Sequence, residues 1–153
     1  LDISTLKLKP HSPDYYSTIQ LPITYNPHEK CTRFEQFIQE INGGDNELGS
    51  VIQQMVGYCL CHNTKAEKAF FLYGSGKNGK SVLAKIIELL VGSENVSNVK
   101  LSQLNESFGL SSMVNKNVNI SGDTINVTRK YKSDVSCAQL QNDHAVKFAS
   151  KYC

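Results

Sequence analysis

One octapeptide limits this chain more than any other stretch: Gly74-Ser75-Gly76-Lys77-Asn78-Gly79-Lys80-Ser81, preceded by the apolar run Ala69-Phe70-Phe71-Leu72-Tyr73. It reads G-x-x-x-x-G-K-S, the P-loop pattern. A short apolar run bounded by glycine predicts a buried parallel strand, and Ser81 to Leu90 continues at helical period. The octapeptide therefore falls between strand and helix. Gly74 and Gly79 are expected at positive φ, which turns successive backbone N–H groups into the loop beside the partial positive charge of the helix N-terminus. Such a turn cradles phosphate, with Lys80 as a point charge for β- and γ-phosphates and the Ser81 hydroxyl placed to ligate Mg²⁺. The bland reading is a glycine-rich turn with an incidental lysine; the strand-then-helix context argues against it.

The chain has 153 residues, 40% of them hydrophobic and 20% charged, enough for one domain with a core. Its net charge of +2 neither supports nor excludes a nucleic-acid partner. Five cysteines stand without a regular framework, and no signal peptide or apolar run of membrane-spanning length is present. A reduced, cytoplasmic protein with no membrane association is expected. The chain begins at Leu1 rather than Met, which is expected of a piece of something longer.

Residues 1–30 read as an extended entry segment. Apolar and polar residues alternate there, but Pro10, Pro13, Pro22 and Pro27 rule out a central strand. Residues 31–65 read as a helical region. Thr32-Arg33-Phe34-Glu35 has the form of a capping box, with Phe34, Phe37, Ile38 and Ile41 at helical spacing before Gly43-Gly44. A second helix is expected to start near Asp45 and to place Leu48, Val51, Ile52, Met55, Val56, Cys59 and Leu60 on one stripe. Cys59-Leu60-Cys61-His62 lacks the C-x-x-C spacing of zinc knuckles, and Cys59 falls on the apolar stripe, so a buried free thiol is the expected role.

Residues 66–125 carry the loop and the segment C-terminal to it. Gly92 is a natural stop for the helix, Asn95 to Val99 reads as a short strand, and Ser102 as the N-cap of a helix through Leu104 and Phe108 toward Met113. Val118-Asn119-Ile120, an apolar stretch interrupted by Asn119, leads into Ser121-Gly122-Asp123. A strand of this kind beside the loop strand can aim a carboxylate at the metal, which makes Asp123 the candidate; the alternative is a plain Gly-Asp turn. Residues 126–153 form a divergent, basic tail of poor periodicity.

Taken together, these residues resemble the C-terminal ATPase of phage and plasmid primase–helicases, within helicase superfamily 3. The likeness rests on His11-Ser12-Pro13, Leu21-Pro22 and Tyr25-Asn26-Pro27 in the entry segment. It continues through Phe37 to Ile41, Gly44-Asp45-Asn46-Glu47-Leu48 and Gly57-Tyr58-Cys59-Leu60. The loop itself has the family's asparagine, Asn78, before Gly79-Lys80-Ser81, and Phe108, Lys116 and Asn117-Val118-Asn119-Ile120 are similar downstream. The resemblance implies an α/β P-loop NTPase core with a parallel sheet, incomplete here and preceded by a small helical region and an extended segment. It implies ATP and Mg²⁺ as cofactors, Gly74 to Ser81 as the triphosphate site, Lys80 and Asp123 as catalytic residues, and Ser81 and Asp123 on the metal. It further implies a homo-oligomeric ring acting on DNA, single-stranded or at a replication fork.

Two departures accompany the likeness. Gly122 stands where family strands often carry a first acidic residue. After Asp123 there is no matching sensor asparagine or neighbour-reaching arginine; Arg129 and Asn142 lie outside any such motif. The tail is therefore expected to be a truncated or frameshifted end. A non-catalytic nucleotide-binding or oligomerisation module from a decayed prophage element is the second reading. A small-molecule P-loop kinase is a weaker third, since no lid or acceptor pocket is evident.

Overall fold

The computed structural model describes residues 1–2, 5–62 and 65–122. Among them are three α-helices, α1 (Thr32–Asn42), α2 (Asn46–Leu60) and α3 (Lys80–Val91), and two short strands, β1 (Val96–Ser97) and β2 (Val118–Asn119). The strands pair in parallel, Val96 against Val118 and Ser97 against Asn119. Helices α1 and α2 pack on each other, and α2 packs on α3. The shared core contains Ile41 from α1, Leu48, Ile52, Met55 and Cys59 from α2, Leu83, Ile87 and Val91 from α3, and Val96 from β1. No helix among the described residues is long and apolar enough to cross a membrane.

Helix α1 stops where its sequence predicts. Gly43 takes φ 65° and Gly44 φ 81°, left-handed values that cost glycine little. The start differs from the capping-box reading. Cys31 is the N-cap and lends no side-chain bond; its carbonyl accepts from Phe34 and Glu35 N–H at 3.0 and 3.1 Å. Thr32 is already inside the first turn, so its hydroxyl cannot occupy the capping position. Helix α2 starts as expected, with Asp45 Oδ1 accepting from Glu47 N–H at 2.9 Å and Leu48 N–H at 3.1 Å. Of its apolar stripe, Leu48, Ile52, Met55 and Cys59 are buried, whereas Val51 is exposed on the flank.

Between the helices, buried Asn42 donates to Asp45 O at 2.8 Å and accepts from Gly44 N–H at 2.9 Å. The entry segment is mostly exposed and irregular, with a 3₁₀ turn at Pro13–Tyr15 and an antiparallel bridge between Asp2 and Lys7. It is tied to the body by Asn95, whose Nδ2 donates to Gln20 O and to Val91 O, both at 2.8 Å.

Three further expectations are revised. Residues 69–73 form no regular strand among the described residues; Tyr73 alone is a bridge residue, while Phe70 and Leu72 pack against the core. The strand expected over Asn95 to Val99 is reduced to β1, because Asn95 belongs to a 3₁₀ turn, Ser93–Asn95. The helix expected from Ser102 is replaced by 3₁₀ turns at Leu101–Asn105 and Ser111–Met113. Phe108 is 88% exposed at φ 65°, and Gly109 approaches Gln103 O so closely that a Cβ would lie 1.9 Å from it. That reversal prevents one continuous helix.

Asn119 is a connector rather than an interruption. Its Oδ1 accepts from Ser97 Oγ at 2.9 Å and Val99 N–H at 2.8 Å, and its Nδ2 donates to Val99 O at 2.9 Å. It extends the β1–β2 pairing by side chain where the backbone ladder has ended. Replacing it with leucine keeps the volume but orphans the buried Val99 N–H. Asn119→Leu is expected to cost about 1–3 kcal/mol in urea unfolding. A loss under about 0.5 kcal/mol would show that water takes over these bonds.

Candidate phosphate-binding loop

Of the eight residues expected to form the site, Gly74, Ser75, Gly76, Lys77, Asn78 and Gly79 make the turn that leads into α3, and Lys80 and Ser81 are the first two residues of that helix. Gly79 is the N-cap of α3 at φ 82°, ψ −3°, and its carbonyl accepts from Leu83 N–H at 2.8 Å. The loop's other positive φ values belong to Gly76 (110°) and Lys77 (50°). Gly74, expected among them, is not, and its need for glycine has a different cause. A Cβ there would lie 1.6 Å from Asn78 Nδ2, because the Asn78 side chain folds back across Gly74. Lys77 holds a left-handed conformation that a long L side chain seldom adopts, a local strain of the kind concentrated at ligand-binding turns.

Lys80 folds back over the same turn. Its Nζ donates to Gly74 O at 3.1 Å and, in a short bond, to Asn78 Oδ1. Both acceptors are neutral, so the half-buried ammonium is held without being neutralised by them. Asn78 thus has two roles that its position in the motif did not disclose: it orients Lys80 and it fills the space that a side chain at 74 would need. Ser81 is exposed in the first turn of α3. A glycine-rich loop at a helix start, with an ammonium folded over it, suits an anion with several oxygens. Asp123, Arg129 and Asn142 lie outside the described residues.

The loop rests on α1. A Cβ on Gly79 would be 2.6 Å from Ile41 Cγ2 and 3.1 Å from Phe37 Cε2. Their helical spacing marked Phe37 and Ile41 as buried without indicating what they would pack against.

Three of the five cysteines are among the described residues. Cys31, Cys59 and Cys61 are free thiols, and burial pushes Cys59 up to about 11, which keeps it protonated and unreactive at neutral pH. No group of three or more His, Cys, Asp or Glu that could hold a metal occurs among the described residues.

Comparison with known proteins adds two likenesses. The chain is 26% identical over 121 residues to a liverwort protein, "Uncharacterized mitochondrial protein ymf21" of Marchantia polymorpha, covering 71% of this chain and 67% of that protein. Residues 1–43, the entry segment and α1, match the family described as "D5 N terminal like". Over that stretch the chain is similar to the N-terminal domain of D5-like primase–helicase proteins, which fits the phage and plasmid primase–helicase family.

Proposed function

We propose that this chain is the ATP-binding portion of a primase-associated, superfamily 3 DNA helicase acting in phage or plasmid DNA replication. The observation that carries the reading is Lys80 held over the Gly74–Ser81 turn by Gly74 O and Asn78 Oδ1, at the start of α3. The match of residues 1–43 to the D5 N-terminal family supports the same reading from a separate part of the chain. In it the loop amides and Lys80 take the triphosphate of ATP, and the Ser81 hydroxyl and Asp123 serve Mg²⁺. The Lys80 ammonium, held by two neutral acceptors, suits the negative charge of that ligand. DNA is the partner, and a homo-oligomeric ring is the working form.

Binding and turnover are expected to separate. An arginine reaching a neighbour's nucleotide contributes roughly 10³–10⁵ in rate in related P-loop enzymes. No arginine stands in such a motif in this sequence, and Gly122 precedes Asp123 where a second acid is often found. The 153-residue chain is therefore expected to bind ATP with Mg²⁺ in calorimetry. In a phosphate-release assay, with or without single-stranded DNA, it is expected to turn over well below roughly 1 s⁻¹, and it should not unwind duplex. DNA-stimulated hydrolysis at or above that rate would refute the turnover expectation and make Arg129 the residue to mutate. Binding without hydrolysis also fits the non-catalytic module, which the same two sequence departures favour; ring formation with complete copies would mark it.

A further inference from the structure

Gly79 is approached from behind by α1. Its backbone sits so close to Ile41 and Phe37 that no side chain would fit between them, and Ile41 is only 6% exposed. Gly79 also holds a left-handed φ and carries the carbonyl that starts α3. A glycine has no side chain with which to brace itself, so its conformation is set by what touches its backbone. Packing behind Gly79 therefore bears directly on the backbone that joins the loop to α3.

We infer that Phe37 and Ile41 are positioning residues for the phosphate loop, so that α1 and the nucleotide site are energetically coupled; this rests on the ATP-binding reading above. Neither side chain touches the nucleotide. They act through Gly79, keeping the start of α3 at one height against α1. Because coupling between two sites is reciprocal, nucleotide bound on the loop must in turn steady the last turn of α1. The D5-like N-terminal segment then has a physical task here: its helix is the backstop of the loop.

The test compares four forms of the full chain, wild type, Ile41→Ala, Ile41→Val and Ile52→Ala, by calorimetry with MgATP and by amide hydrogen exchange with and without the nucleotide. Ile52 is 1% exposed in the same core but supplies none of the three atoms nearest a Cβ at Gly79, so Ile52→Ala controls for lost stability. Ile41→Ala is expected to weaken ATP binding on the order of tenfold and to speed exchange over residues 76–83. Ile41→Val should restore affinity to within about twofold of wild type, and Ile52→Ala should leave the affinity of the folded protein unchanged. In wild type, MgATP should slow exchange over residues 37–44. Should Ile41→Ala fail to fold, Phe37→Leu takes its place, with the same loss of affinity expected. Equal ATP affinity in wild type and the alanine (or Phe37→Leu) variant overturns this inference and leaves the ATP site standing. A wild-type chain that binds no ATP overturns both. An equal loss in Ile52→Ala overturns the positioning role, because general loosening of the core would then be the cause.

Discussion

Lys80→Ala is expected to reduce MgATP affinity by on the order of 10²-fold or more, to below detection in calorimetry. Hydrogen bonds to charged groups contribute about 1.5–3 kcal/mol each, and Lys80 is the cation folded over the loop. The same substitution should alter stability little, since the bonds it removes end on Gly74 O and Asn78 Oδ1 at the rim of a half-exposed turn. Loss of binding with retained unfolding behaviour therefore assigns the effect to the site and not to the fold. Lys80→Arg is expected to be weakened as well. A planar guanidinium cannot take the place of a compact ammonium between a carbonyl and an amide oxygen within one tight turn. Equal ATP affinity in wild type and Lys80→Ala would remove the basis for reading the loop as a nucleotide site.

The largest stability effect is expected from Leu83→Ala. Leu83 is 0% exposed and lies where α3 joins the core of α1 and α2. Truncating a fully buried leucine removes its transfer energy and leaves a cavity, together about 2.7–5 kcal/mol. Against a typical total of about 5–15 kcal/mol, that is a large fraction of the stability. One position earlier, Val82 is 52% exposed, and Val82→Ala should fall within about 0.5 kcal/mol of wild type. Paired urea titrations decide the matter. Similar midpoints for the two variants would mean that α3 is not anchored through Leu83.

Signals acting within one turn of chain were legible from the residues alone. The stop of α1 at Gly43-Gly44, the Asp45 cap of α2, the stripe through Leu48, Ile52, Met55 and Cys59, and the start of α3 at the loop all depend on neighbours no more than a few positions away. So does the turn over Gly74 to Gly79. Capping and 3.6-residue periodicity are local physics, which is why they can be read without a structure. They erred where a local pattern admitted two outcomes, as at Thr32, which lies inside the helix, and at Ser102, where Phe108-Gly109 reverses the chain.

What required the tertiary structure was the partner of each polar or apolar group across long sequence separation. Asn119 reads as a flaw in an apolar run until Ser97 and Val99 stand beside it, and Asn95 is an ordinary turn residue until Gln20 reaches it from 75 positions away. Gly74 requires glycine because of where Asn78 lies, not because of its own φ. Periodicity placed Phe37 and Ile41 on the inward face of α1; only the tertiary structure set them against Gly79. A hydrophobic stripe specifies that a face leaves water but carries no address for the surface it meets, because burial is non-directional. The loop pattern was therefore written in the local sequence, while the surfaces packed against it were decided by which distant segments the fold brought together.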